Sequence, residues 1–175
     1  MSNHVHETGQ TGSRLQPLSD HMRRAHGRFG QAYNKRHGRI GKVACDRPKT
    51  LQLQDDDSLM RAMLYGDCNP VRAGLIPHPT DVRWRGLSSC RFYAFGERSP
   101  GADMLTPPEW YLRLGKTPRQ RQARYRALLD QYLIDSNLKR DPRLSSGFYF
   151  GGATWVEEMR KQLRELLRRI EKGPP

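Results

Sequence analysis

The chain has 175 residues, with 31 Lys and Arg against 18 Asp and Glu, for a formal charge of +13. No apolar run is long enough for a membrane-spanning helix, and the first ten residues contain no secretory core. Cys45, Cys68 and Cys90 are too few and too scattered for a disulfide scaffold or a CxxC-type zinc site. The expectation is therefore a non-membrane, cytoplasmic chain with room for one domain, or for a small domain plus an extension.

Met1 to Pro17 is polar and reads as an extended stub followed by a loop. Leu15, Leu18, Met22, Ala25, Phe29 and Ala32 then recur at three and four, which predicts an amphipathic helix with Ser19 or Asp20 as its N-cap. Residues 42–54 alternate weakly and give at best a strand interrupted at Pro48. Asp55-Asp56-Asp57-Ser58 opens a second helix, because acids there serve both as cap and as partners of the helix dipole. Its apolar stripe is Leu59, Met60, Met63 and Leu64, and Pro70 should end it near Asn69. Residues 81–96 carry Trp84, Phe92, Tyr93 and Phe95 and are candidates to close the core; 97–108 is rich in proline and reads as a linker. Thr117-Pro118-Arg119-Gln120 and Thr154-Trp155-Val156-Glu157 are two capping boxes, each opening a further helix. Trp110, Tyr111, Tyr125, Tyr132 and Trp155 in this C-terminal part read as packing residues.

The charge is concentrated. Arg23, Arg24, Arg28, Lys35, Arg36, Arg39, Lys42, Arg47 and Lys49 face only Asp20 and Asp46 between positions 20 and 49. Such a cluster is either a solvated surface or a site for a polyanion, whose counterions Lys and Arg displace. Interleaving by Phe29 and Tyr33 favours the second reading.

Two small constellations could carry chemistry. His4-Val5-His6 on a strand would put both imidazoles on one face, an arrangement that suits a divalent metal, although at a chain terminus it can equally be incidental. Tyr65 and Asn69 are four apart and lie off the apolar stripe of the second helix. An ordinary exposed tyrosine fits that position, and so does a nucleophile with a polar amide one turn away. Ionising a tyrosine at neutral pH costs roughly 4 kcal/mol, so a nucleophile would need help, such as a metal that polarises the attacked phosphate.

These residues carry a resemblance. Met1-Ser2-Asn3-His4-Val5-His6 is similar to the M-P-N-H-V-H segment of REP-associated and IS200-like single-tyrosine transposases. The stretch from Tyr65 to Leu75, with Asn69-Pro70-Val71-Arg72-Ala73-Gly74 at its centre, resembles the family's Y-I-E-L-N-P-V-R-A-G. Tyr33 to Arg39 and Arg91 to Glu97 match further segments in the same order. The resemblance implies an α+β chain with a ferredoxin-like fold of the HUH-nuclease class over 1–97 and a mostly helical extension over 98–175. It also implies metal-dependent cleavage and joining of single-stranded or hairpin DNA. His4, His6 and Asn69 would hold Mg²⁺ or Mn²⁺, and Tyr65 would attack to form a 5′-phosphotyrosine link. Arg72, with Arg23, Arg24, Arg28, Lys35, Arg36, Arg39, Arg47 and Lys49, would contact the DNA.

The departures are as specific. Family members carry a strand and a helix before the histidine motif, so the resemblance implies a partial fold lacking both. Gly66 and Pro48 replace larger residues, and glycine inside a helix costs about 1 kcal/mol. The alternative expectation is a non-catalytic nucleic-acid-binding remnant.

Overall fold

Asp55 starts the helix that organises the structure. Its carboxylate accepts from Ser58 N–H at 2.8 Å, and Asp56 and Asp57 occupy the positive first turn of α2 (Asp56–Asp67). The computed structural model describes residues 5–11, 16–43 and 48–171, which form a mixed α+β fold, mostly helical with one two-stranded sheet among these residues. Two compact units are present, 9–50 and 1–8 with 51–175. The boundary expected near Glu97 falls within the second of these.

The 9–50 unit is built on α1 (Gln16–His37). This helix starts earlier than the expected Ser19 or Asp20 cap, and Asp20 instead pairs with Arg23 at 3.0 Å within it. It runs through Gly27 and Gly30, and Lys35, Arg36 and His37 complement the dipole at its end. Gly38 at φ +59° reverses the chain, a conformation that favours glycine. Arg39 N–H then donates to Asn34 O (3.0 Å), and the Asn34 side chain donates to Gly41 O (2.8 Å). From Leu18 to Thr50 no described residue is buried.

The other unit has the core. Beyond α2 come α3 (Asn69–Arg72), α4 (Cys90–Phe95), α5 (Glu109–Leu112), α6 (Pro118–Ser136), α7 (Pro142–Ser146) and α8 (Ala153–Glu171). Met63, Leu64 and Cys68 pack with Cys90, Tyr93 and Ala94 of α4, Trp110 and Tyr111 of α5, and Tyr125 and Leu129 of α6. Four aromatic rings meet there. Tyr93 lies edge-on to Tyr111 at 5.0 Å, and Trp110 stacks on Tyr125 at 6.0 Å. Tyr111 donates its hydroxyl to Tyr93 O at 2.9 Å, which satisfies a buried polar tip. Trp110, Tyr111 and Tyr125 thus do the packing expected of them.

The Thr117–Gln120 capping box forms in both directions at the start of α6, and Asn137, left-handed at φ 43°, ends that helix. The second capping box does not form, because α8 begins at Ala153 and takes Thr154 into its first turn. Gly152 stands there instead, its N–H donating to Gln54 Oε1 at 2.6 Å. Among the described residues the expected strand over 42–54 reduces to β1 (Gln52–Leu53), which pairs in parallel with β2 (Tyr149–Phe150) in the register Gln52–Tyr149 and Leu53–Phe150. Tyr149 in turn meets Trp155 edge-on at 6.0 Å. No residue of α8 is buried, and Leu166, Leu167 and Ile170 near its end are exposed.

Candidate functional site

Tyr65 lies in the last turn of α2, and the chain beyond it keeps a nearly helical course. Cys68, at φ −83° and ψ −5°, separates α2 from α3, whose first residue is Asn69. Pro70 follows in the first turn of α3, where its missing N–H costs nothing. Tyr65 and Asn69 are therefore on successive helices, not on one, yet stay a turn apart.

Tyr65 is buried at 5% exposure but lies outside the apolar cluster, which excludes the ordinary exposed tyrosine that its position on the helix allowed. Polar residues cover it. The His6 ring stands edge-on to the phenol at 6.0 Å, and the Arg72 guanidinium lies 4.1 Å from the centre of the Tyr65 ring. Arg72 Nη2 also donates to Tyr65 O and to Asn69 Oδ1, both at 3.1 Å. The Asn69 amide nitrogen donates to His6 Nε2 at 2.7 Å. Arg72 is the brace of this group; its Nη1 is buried with no hydrogen-bond partner.

His6 reaches the site from backbone that forms no strand between residues 5 and 11, so it is not the strand-borne histidine expected. No neighbouring strand is present there among the described residues, and an unpaired strand is not stable by itself. His4 lies outside the described residues, as does Arg47. The approach of His6 does not depend on Gly66, because a Cβ there would meet His6 Cβ at 3.7 Å, an ordinary contact.

The donor set can be judged for a metal. Among the described residues no group of three His, Cys, Asp or Glu side chains could hold an ion. His6 Nε2 is engaged by the Asn69 amide, and Asn69 Oδ1 accepts from a cationic guanidinium. His6 and Asn69 as arranged here do not fit a divalent cation by themselves.

Arg23, Arg24, Arg28, Lys35, Arg36, Arg39 and Lys49 are exposed in the 9–50 unit. Arg72 differs from them, because its Nη2 is spent on internal hydrogen bonds. The matched stretch Arg91–Glu97 forms α4 and its cap. Gly96, at φ 71°, ends the helix and lets Glu97 Oε2 accept from Arg91 Nε at 2.6 Å.

One group escaped the sequence reading. Asp67 sits on the apolar side of α2 and is buried with Cys68 and Cys90, both fully buried thiols. It accepts from the Tyr125 hydroxyl and from Ser88 Oγ (3.2 Å). Burial pushes its carboxyl up to about 6, opposed by those hydrogen bonds. Burial, together with the nearby Asp67 charge, pushes the Cys68 thiol up to about 12 and the Cys90 thiol higher still. Neither is a nucleophile near neutral pH. The signal was present in the sequence: Asp67 falls four residues after Met63 and three after Leu64, on the stripe that must be buried.

No family model, no curated protein and no solved structure matches the chain. Among the described residues no helix is long and apolar enough to cross a membrane.

Proposed function

We propose that the chain is a DNA-nicking protein of the single-tyrosine transposase type, acting on single-stranded or hairpin DNA with Tyr65 as nucleophile. One observation carries this reading: His6 and Asn69, 63 residues apart, meet at 2.7 Å beside Tyr65, and all three are positions picked out by the motif resemblance. In this reading a ferredoxin-like HUH core is present in part, with α2 as the helix that presents the tyrosine.

The reaction balances without an external energy source. The Tyr65 hydroxyl gives up its proton and its oxygen attacks the phosphorus; the bond to the 3′ oxygen breaks and that oxygen takes up a proton. The 5′ phosphate is left as an ester on Tyr65, and the reverse step rejoins the strand. Arg72 holds the ring of Tyr65 and fixes the Asn69 amide. To hold Mg²⁺ or Mn²⁺ together with His4, the His6–Asn69 hydrogen bond and the Arg72 contact to Asn69 Oδ1 would have to open, and no step here is routed through the metal.

A second reading, DNA binding without cleavage, is favoured by the engagement of His6 and Asn69 with each other and with Arg72. One experiment separates the two. The chain is incubated with Mn²⁺ and a hairpin-bearing single strand, and covalent adduct is read on a denaturing gel. The nicking reading expects an adduct that does not form when chelator is present from the start and is absent in Tyr65→Phe, with DNA affinity unchanged in that variant. Binding without adduct in the parent chain supports the second reading, and no salt-sensitive binding at all would sink both.

A further inference from the structure

We infer that the aromatic face of α1 is a stacking platform for the unpaired bases of single-stranded DNA. Phe29, Tyr33 and His37 recur every four residues and form a column along the helix, with ring centroids 5.9 and 4.3 Å apart. Phe29 is 62% exposed, so its ring is open to a ligand. The Arg39 guanidinium, brought back by the turn at Gly38, lies 5.8 Å from the centre of the Tyr33 ring.

The chemistry around the column selects its occupant. Arg36 and Arg39 flank the column, Arg28 and Lys35 lie toward the opposite side of the helix, and Asp20 is the one acid in α1. An apolar aromatic strip edged by cations fits a ligand with flat faces on an anionic chain. The ring centroids lie 5.9 and 4.3 Å apart, so Tyr33 and His37 face one another and Phe29 presents an exposed ring at the start of the column. An unpaired base can lay its face on that exposed ring, whereas a duplex keeps its base faces stacked on one another. An acidic protein would satisfy the cations but would leave the exposed Phe29 ring without a flat partner.

The site is distinct from Tyr65 and involves no covalent step. It rests on the proposed DNA partner but not on cleavage, so the test must work without the tyrosine nucleophile. The full chain carrying Tyr65→Phe and Phe29→Trp is titrated with oligothymidylate, with an abasic strand of the same length, and with duplex; the same chain without Phe29→Trp supplies the background from native tryptophans. Stacking is expected to quench the new indole on oligothymidylate alone and to make that strand bind about tenfold or more tightly than the abasic one. Phe29→Ala with Tyr33→Ala should erase that difference while leaving the salt-sensitive affinity for the abasic strand in place, with helix content unchanged by circular dichroism. Equal affinity for the two strands overturns the inference. So does a self-associating chain that Phe29→Ala turns monomeric, which would assign the face to a second copy. If the base-dependent binding stands while the parent chain never forms an adduct, the nicking reading fails and the platform remains.

Discussion

Tyr125→Phe is expected to cost about 2 kcal/mol of folding stability at pH 8 and about half of that at pH 5. At pH 8 Asp67 is ionised, and the hydroxyl that the variant removes is a donor to a buried carboxylate. Hydrogen bonds to charged groups are worth about twice neutral ones. At pH 5 the carboxyl is mostly protonated, so the same deletion removes a neutral bond. The linkage sign follows from the direction of the shift. Asp67 is raised from 3.8 to about 6, so its favourable contribution is complete below the unfolded value and is lost as pH rises to about 6. The parent protein should therefore lose up to about 3 kcal/mol over that interval and change little above it on this account. Losing the Tyr125 donor raises the carboxyl further and carries the decline to higher pH. Urea unfolding at the two pH values checks this, and an equal cost at both would mean that the charge of Asp67 is not what Tyr125 stabilises.

Leu129→Ala should be strongly destabilising, at about 2–5 kcal/mol. Leu129 is fully buried, with Tyr125 one turn before it on α6, and belongs to the cluster that joins α2, α4, α5 and α6. Aromatic neighbours on short helices cannot collapse far into the space a leucine leaves, so the cavity persists. A domain of this size has about 5–15 kcal/mol in total, so the variant is expected to melt many degrees lower or fail to fold. Ile134→Ala, on the same helix at 72% exposure, serves as the control and should change stability by less than about 0.5 kcal/mol. Comparable losses at the two positions would place the core of α6 on the wrong face.

What the sequence made legible was local. The aspartate cap of α2 and the capping box of α6 are decided by residues within one turn, and both formed where expected. The start of α8 was not legible, because Gly152 is held by Gln54, a residue 98 positions away. The aromatic core spans the proline-rich stretch after Glu97, joining α4 before it to α5 and α6 after it. Composition marked that stretch as a linker, but only tertiary packing decides which helices meet across it. In the candidate site the spacing put Tyr65 and Asn69 a turn apart, and Arg72 and His6 touch both, while the source of the Tyr65 cover was hidden. Arg72 folds back over the ring, and its role depends on a rotamer and a helix break that periodicity does not encode.

The parallel clasp of β1 and β2 has a consequence for the order of events in folding. Gln52–Leu53 and Tyr149–Phe150 are joined by a ladder two residues long, at the ends of a loop of nearly a hundred residues. Closing so long a loop for so few bonds is favourable only after the helices between them have shortened the path. The clasp therefore forms late, and α8, which buries no residue of its own, is tethered through it. Amide exchange should accordingly be fastest along α8, while α2 and α6 exchange at the rate of global unfolding. Uniform protection across the three helices would show the C-terminal segment to be an integral part of the folding unit instead of its last, most easily released member.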